Sequence, residues 1–127
     1  MLRIVFLLFA IILTATVNAQ SSQSKSISYI ETTSTWIHVY DESGKKIYTD
    51  SRSRFGDVVG YSSCFFIVIR GGFYVLYDAN CKRINTLTVE NIGEILSVTG
   101  KAFVARKGSF VSTYDMTGKK INTRTVQ

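Results

Sequence analysis

The chain has 127 residues, of which 46% are hydrophobic, 13% aromatic and 19% charged, with a formal net charge of +6. This length predicts a single domain, and the apolar fraction excludes a wholly disordered chain. The basic excess is too small to require a nucleic-acid partner, so nucleic acid is not the expected ligand.

The N-terminus has the layout of a secretory signal peptide. Arg3 supplies a positive charge, residues 4–13 are apolar, and Val17-Asn18-Ala19 places small residues at the positions read by signal peptidase. A bilayer-spanning helix needs about 20 apolar residues, and no later segment of the sequence reaches that length. We therefore predict a signal peptide over residues 1–19, cleavage after Ala19, and export to the periplasm or the cell exterior without a transmembrane anchor.

A repeat of 37 residues organises the rest of the chain. Matching stretches begin at Trp36, Phe73 and Phe110, and the first and third stretches are identical at seven of fourteen positions. The repeat predicts one domain over residues 20–127. Its units lie near residues 26–52, 53–89 and 90–127.

The middle unit predicts four antiparallel strands, beginning with residues 57–62 after a glycine. Residues 65–69 are apolar at every position, which is typical of a strand covered on both faces. Gly71-Gly72 predicts a two-residue hairpin turn. The returning strand 73–77 leads into a turn at 78–81, in which the aspartate accepts backbone hydrogen bonds and the last residue is left-handed. Residues 82–89 form the fourth strand.

Four strands in about 40 residues, ending in Tyr-Asp-x-x-Gly-Lys-x-Ile in two of the three units, resemble a β-propeller blade. The end of the signal peptide also resembles that of many exported Bacteroidetes proteins. The resemblance implies an all-β fold of antiparallel, four-stranded meander repeats with a propeller-like arrangement. Propellers use typically 4–8 blades, and the first unit here has only three strands. Two outcomes are therefore open: copies of the chain complete a ring together, or the three repeats close as a β-trefoil.

The two cysteines both depart from the repeat in the middle unit. Cys81 takes the turn position held by Gly44 and Gly118, where a side chain is strained. The predicted hairpin register places Cys64 opposite Ala79, two residues from Cys81. In an exported protein this arrangement predicts a disulfide, which would contribute about 3 kcal/mol.

Two sets of repeated residues are candidates for ligand binding. The aromatics could stack on a ligand or fill the space between sheets. The basic pairs could form a rim that attracts polyanions, or they could be solvated turn residues that protect strand edges. The aromatic set is Trp36, Phe73 and Phe110, and the basic set is Lys45, Lys46, Lys82, Arg83, Lys119 and Lys120.

The sequence offers little for catalysis. His38 is the one histidine, and its repeat equivalents are Val75 and Ser112. Asp57 and Glu94 align in the repeat, but each follows a glycine where a solvent-facing strand begins. No nucleophile, metal or phosphate-binding motif is present. We therefore predict an exported, non-catalytic protein that needs no cofactor or metal and recognises a protein or a glycan.

Two alternative functions remain open from the sequence. The chain could bind polyanions through its lysine rim. It could also be a structural subunit of a homo-oligomeric ring, joined through the exposed strand at 26–31 or the last strand at 119–126.

Overall fold

The computed structural model describes residues 25–126, so the predicted signal peptide lies outside the described residues. These residues form three antiparallel sheets. The first sheet contains β1 (Ile27–Thr32), β2 (Trp36–Asp41) and β3 (Lys46–Ser51). The second sheet contains β4 (Asp57–Tyr61), β5 (Phe65–Arg70), β6 (Phe73–Asp78) and β7 (Arg83–Thr88). The third sheet contains β8 (Glu94–Thr99), β9 (Ala102–Lys107), β10 (Phe110–Asp115) and β11 (Lys120–Thr125). Each sheet is a meander in chain order. The all-β, antiparallel prediction is confirmed.

The second sheet lies between the other two and is covered on both faces. Phe66 and Val68 of β5 pack in an apolar cluster shared with the first sheet. Phe65 and Ile67, which alternate with them, pack in a second cluster shared with the third sheet. All four are fully buried, as the continuous apolar run of β5 predicts.

Two one-turn helices, which the sequence analysis did not predict, connect the sheets. They are α1 (Arg52–Phe55) and α2 (Val89–Ile92). Ser51 and Thr88 cap their N-termini, and each helix ends at a glycine with positive φ. Phe55 and Ile92 are buried, one in each apolar cluster. Each helix therefore inserts its last side chain between two neighbouring sheets.

The first strands of the two complete sheets approach each other. Val98 of β8 lies so close to Gly60 of β4 that a Cβ at Gly60 would come within 2.5 Å of a Val98 methyl group. Ser62 Oγ also donates to the carbonyl of Gly100 across the two sheets, at 2.6 Å. Within residues 25–126 the sheets form neither a closed barrel nor a closed ring. The trefoil alternative requires a barrel and is therefore not retained.

The predicted disulfide between Cys64 and Cys81 is wrong, because both thiols are free. The predicted hairpin register itself is correct, with Arg70 opposite Phe73 and Phe65 opposite Asp78. The two side chains, however, lie on opposite faces of the second sheet. Cys64 packs against the cluster shared with the third sheet, and Cys81 packs against the cluster shared with the first.

Cys81 keeps the left-handed conformation predicted for its turn, with φ of 64°. This conformation costs a non-glycine residue about 1–2 kcal/mol. Burial of the thiol against the first cluster, rather than a covalent bond, offsets that cost. Burial also raises the pKa of Cys81 to about 11, with a smaller contribution from the nearby Asp78 carboxylate.

Thiol chemistry tests this arrangement. The non-reduced, urea-unfolded chain is expected to titrate as two free thiols. In the folded protein at pH 8, iodoacetamide should alkylate Cys81 roughly 100-fold more slowly than in the unfolded chain, because a pKa of about 11 leaves little thiolate. Peptide mapping by mass spectrometry measures both quantities. A chain without free thiols would contradict the structure, and unchanged alkylation of Cys81 would contradict its burial.

Candidate functional site

Trp36, Phe73 and Phe110 occupy the first position of β2, β6 and β10. Each comes directly after the turn that connects its strand to the preceding strand. Their side chains are 46%, 50% and 54% exposed, respectively. The core-filling interpretation is therefore wrong for these three, since the apolar clusters use other positions of the same strands, such as Tyr74 and Leu76. All three aromatic rings are accessible to a ligand.

The turn between the last two strands of each sheet has the same hydrogen-bond pattern in all three units. In the first, Asp41 Oδ1 accepts from the backbone N–H of Ser43 at 2.9 Å and of Lys45 at 3.0 Å. Asp78 and Asp115 make the corresponding bonds at the same distances. The predicted aspartate turn is confirmed.

The aspartates bring negative charge close to the basic pairs. Hydrogen bonds from Ser43 and Thr117 lower the pKa of Asp41 and Asp115, so both carboxylates stay ionised well below neutral pH. The positive charge of the adjacent lysines is therefore partly offset at the turn itself.

The structure divides each basic pair between two locations. The first members, Lys45, Lys82 and Lys119, lie in the turns and are exposed. The second members lie opposite the next-to-last residue of the preceding strand, which is a tyrosine in each unit: Lys46 opposite Tyr40, Arg83 opposite Tyr77 and Lys120 opposite Tyr114. Directly opposed residues share a face of the sheet, and alternation along the strand puts the aromatic on that face. The second basic residue and the aromatic therefore belong to one surface.

In the second unit this surface forms a cleft of about 300 Å³. It is lined by Arg70, Phe73, Val75, Arg83 and Thr86. Val75 and the neighbouring Tyr77 belong to the cluster shared with the first sheet, so the floor of the cleft is the edge of the core.

The third unit has the equivalent cleft, also of about 300 Å³. It is lined by Asn91, Lys107, Phe110, Ser112, Tyr114, Lys120 and Thr123. Lys107, Phe110, Lys120 and Thr123 stand 37 residues after Arg70, Phe73, Arg83 and Thr86. The Lys120 ammonium lies 6.0 Å from the centre of the Tyr114 ring. We call these two sites the Phe73 cleft and the Phe110 cleft.

Sequence analysis missed Arg70 and Lys107 as site residues. Each lies directly opposite the aromatic of its own cleft, Arg70 opposite Phe73 and Lys107 opposite Phe110. The signal was present, because both precede the tight turn and align in the repeat. Nothing in the sequence, however, indicated that they share a cleft with the basic residue from the other end of the strand.

The first unit presents the same surface in a different form. Trp36, His38 and Tyr40 lie on the face of the first sheet that points away from the second sheet. The His38 Nδ1 atom is 3.0 Å from Thr49 Oγ1, and Tyr40 Oη donates to Glu31 at 3.3 Å. Partial desolvation and the Glu31 carboxylate raise the pKa of Tyr40, so the phenol remains protonated at neutral pH. Within residues 25–126, no other sheet packs on this face.

Asp57 and Glu94, the two carboxylates that align in the repeat, each lie next to an arginine. Asp57 accepts from Arg52 Nε at 2.7 Å in an exposed ion pair. Glu94 lies opposite Arg106 in the third sheet. Among residues 25–126, no three His, Cys, Asp or Glu side chains are grouped so that they could hold a metal ion. In the same range, no helix has the length and hydropathy needed to cross a membrane.

Comparison with known proteins adds no assignment. Neither the scan against protein-family models nor the search of curated proteins finds a match for this chain.

Proposed function

We propose that the chain is an exported, non-catalytic binding protein that recognises a glycan through its repeated aromatic positions. The observation that carries the proposal is the exposure of Trp36, Phe73 and Phe110 at one repeat position in three successive sheets. Aromatic side chains that are exposed at the same position of each repeat can bury a large apolar area against a ligand. Export rests on the signal peptide predicted over residues 1–19.

The shape of the clefts favours a glycan over a folded protein. Each is a separate recess of about 300 Å³, whereas a stable protein interface buries about 1,600 Å² of continuous surface. Each cleft also combines a ring with a hydroxyl, from Thr86 in one and from Thr123 in the other. A sugar ring offers an apolar face for the aromatic and hydroxyls for the polar groups. A chain of sugars could occupy successive sites and gain affinity through multivalency.

We further propose a propeller-like arrangement of the sheets. Two observations support this arrangement: consecutive sheets pack face to face, and Gly60 of β4 closely approaches Val98 of β8. In a propeller, β4 and β8 would be the innermost strands of their sheets. Among the described residues, the first sheet has no strand that corresponds to them. In this arrangement the Phe73 and Phe110 clefts open between neighbouring blades.

The two outer faces of the sheet stack argue against a ring completed by further copies of the chain. Val68 and Val75, which the first sheet covers, correspond to Glu31 and His38 on the outer face of the first sheet. On the other outer face, Thr113 of the third sheet stands where the second sheet has the buried Leu76. Polar residues at these positions are typical of terminal repeats that face solvent. We therefore favour a chain that acts without forming a ring.

Affinity electrophoresis against a panel of soluble polysaccharides tests the function. We expect at least one polysaccharide to retard the protein, and the W36A/F73A/F110A variant to lose about 10-fold or more in affinity, because each stacking contact contributes roughly 0.5–1.5 kcal/mol. The control is Tyr61→Ala, which removes an exposed aromatic from β4 outside the clefts and should leave retardation unchanged. No retardation by any polysaccharide, or equal loss in the control, would refute the proposal.

A further inference from the structure

We infer that the Phe73 and Phe110 clefts bind sugars that carry carboxylate or sulfate groups, so that the ligand is an anionic polysaccharide. This inference rests on the proposed glycan binding and specifies its chemical class. It combines the aromatic and basic sets, which the sequence presents as separate candidates.

Each cleft has a cationic side chain at both ends. In the second unit, Arg70 lies opposite Phe73 at one end of β6, and Arg83 lies opposite Tyr77 near the other. These two pairs are four residue steps apart, a distance of about 13 Å along the backbone. Cations attached at two points along the strand fit an extended ligand whose charges recur along its length.

Within the part of the chain that the structure describes, none of the cleft cations makes an ion pair. Neither cleft has an Asp or Glu among its lining residues. The ion pair between Arg52 and Asp57 is the one salt bridge within residues 25–126, and it involves none of the cleft residues. Arg70, Arg83, Lys107 and Lys120 are therefore available to a ligand anion. The turn lysines, in contrast, each lie within four residues of an ionised or hydrogen-bonded aspartate.

The remaining lining residues favour a sugar over a nucleic acid, which also combines aromatic and cationic contacts. Thr86 in one cleft, with Ser112 and Thr123 in the other, supplies hydroxyl groups that can donate to and accept from sugar hydroxyls. Ser112 and Thr123 already lie 3.0 Å apart and form one polar floor. The predicted export also places the clefts where acidic polysaccharides occur and nucleic acids are scarce.

Two variants with equal loss of charge separate the cleft cations from exposed lysines outside the clefts. The cleft variant is R70Q/R83Q/K107Q/K120Q. The rim variant is K45Q/K82Q/K119Q/K101Q, which removes four exposed charges that lie outside the clefts. Isothermal titration with a heparin-derived decasaccharide measures affinity at several salt concentrations. Circular dichroism checks that both variants fold.

We expect the cleft variant to lose about 30-fold in affinity for the decasaccharide, and the salt dependence of its affinity to weaken, because fewer counterions are released. The rim variant should lose less than about 3-fold. F73A/F110A should weaken binding as well, which pure charge attraction would not predict. Poly-L-glutamate, which has charge without sugar rings, should bind more weakly than the decasaccharide.

Each contrary result has a distinct meaning. Equal losses in the two variants, or equal binding of poly-L-glutamate, would overturn the inference in favour of a diffuse basic surface. Tighter binding of oligo-dT than of the decasaccharide would overturn it in favour of single-stranded nucleic acid. Binding of neutral polysaccharides alone, lost in F73A/F110A, would overturn the anionic class while the proposed function stands. Binding of no polysaccharide would refute both.

Discussion

Replacing Phe103 by alanine is expected to lower the free energy of unfolding by about 3–5 kcal/mol, the largest effect of any single side chain considered. Phe103 is 1% exposed and lies between the second and third sheets. Its ring stacks on Tyr114 with centroids 5.0 Å apart and lies 6.4 Å from Phe65. Alanine would leave a cavity at the junction that holds the third sheet in place.

The control for this variant is Phe110→Ala in the same sheet. Phe110 is 54% exposed, so its removal should cost less than about 1 kcal/mol. Urea unfolding followed by circular dichroism gives both values. Similar losses for the two variants would mean that Phe110 also contributes to the core, which would contradict its assignment as a ligand-binding residue.

Replacing Gly93 by alanine is expected to cost about 2–4 kcal/mol, although it adds one methyl group and removes no contact. Gly93 ends α2 with φ of 88° and ψ of −150°, a conformation that essentially only glycine adopts. An added Cβ would also collide with the backbone carbonyl of Arg106 in β9. The Gly93 carbonyl accepts from Tyr74 Oη at 2.7 Å, so displacement of this residue would disturb the second sheet as well.

Gly108→Ala is the matched control for Gly93→Ala. Gly108 also has positive φ, at 60°, but no atom lies within 4 Å of its expected Cβ. This substitution should cost about 1 kcal/mol from backbone strain alone. Thermal unfolding of the two variants measures how much the glycine-only conformation and the collision at Gly93 cost beyond an ordinary left-handed residue. Equal destabilisation would contradict both features at Gly93.

Much of the local structure could be predicted because it depends on neighbours in sequence. The two-residue turn at Gly71-Gly72 and the aspartate turns needed only their own residues. The continuous apolar run of β5 indicated a strand covered on both faces, and Phe65 and Phe66 do lie in different clusters. The one-turn helices were missed because four residues such as Val89–Ile92 carry too weak a periodic signal to distinguish a helix from the end of a strand.

The disulfide shows why correct local structure was insufficient for the cysteines. The predicted hairpin register placed Cys81 two residues from the position opposite Cys64, and that register is correct. Whether two thiols meet depends on the face of the sheet from which each projects. Packing on two different neighbouring sheets then keeps the thiols apart.

The sequence predicted which residues belong to the candidate site, but it did not predict how they come together. Repeat alignment identified Phe73, Phe110 and the basic pairs, because equal positions in a repeat receive equal environments. It treated the aromatics and the cations as separate sets. Only pairing across the strands shows that Arg83 shares a face with Phe73 while Lys82 does not, and that Arg70 completes the same cleft.

The sequence by itself determined the strands, the turns and the 37-residue repeat, since backbone conformation and alternation of side chains are local properties. The tertiary structure decided which faces are covered. It buries Phe103 and exposes Phe110, separates the two thiols, and, within residues 25–126, leaves the aromatic face of the first sheet uncovered by another sheet. The physical reason is that burial depends on side chains contributed by another sheet, and the residues of one strand do not specify that sheet.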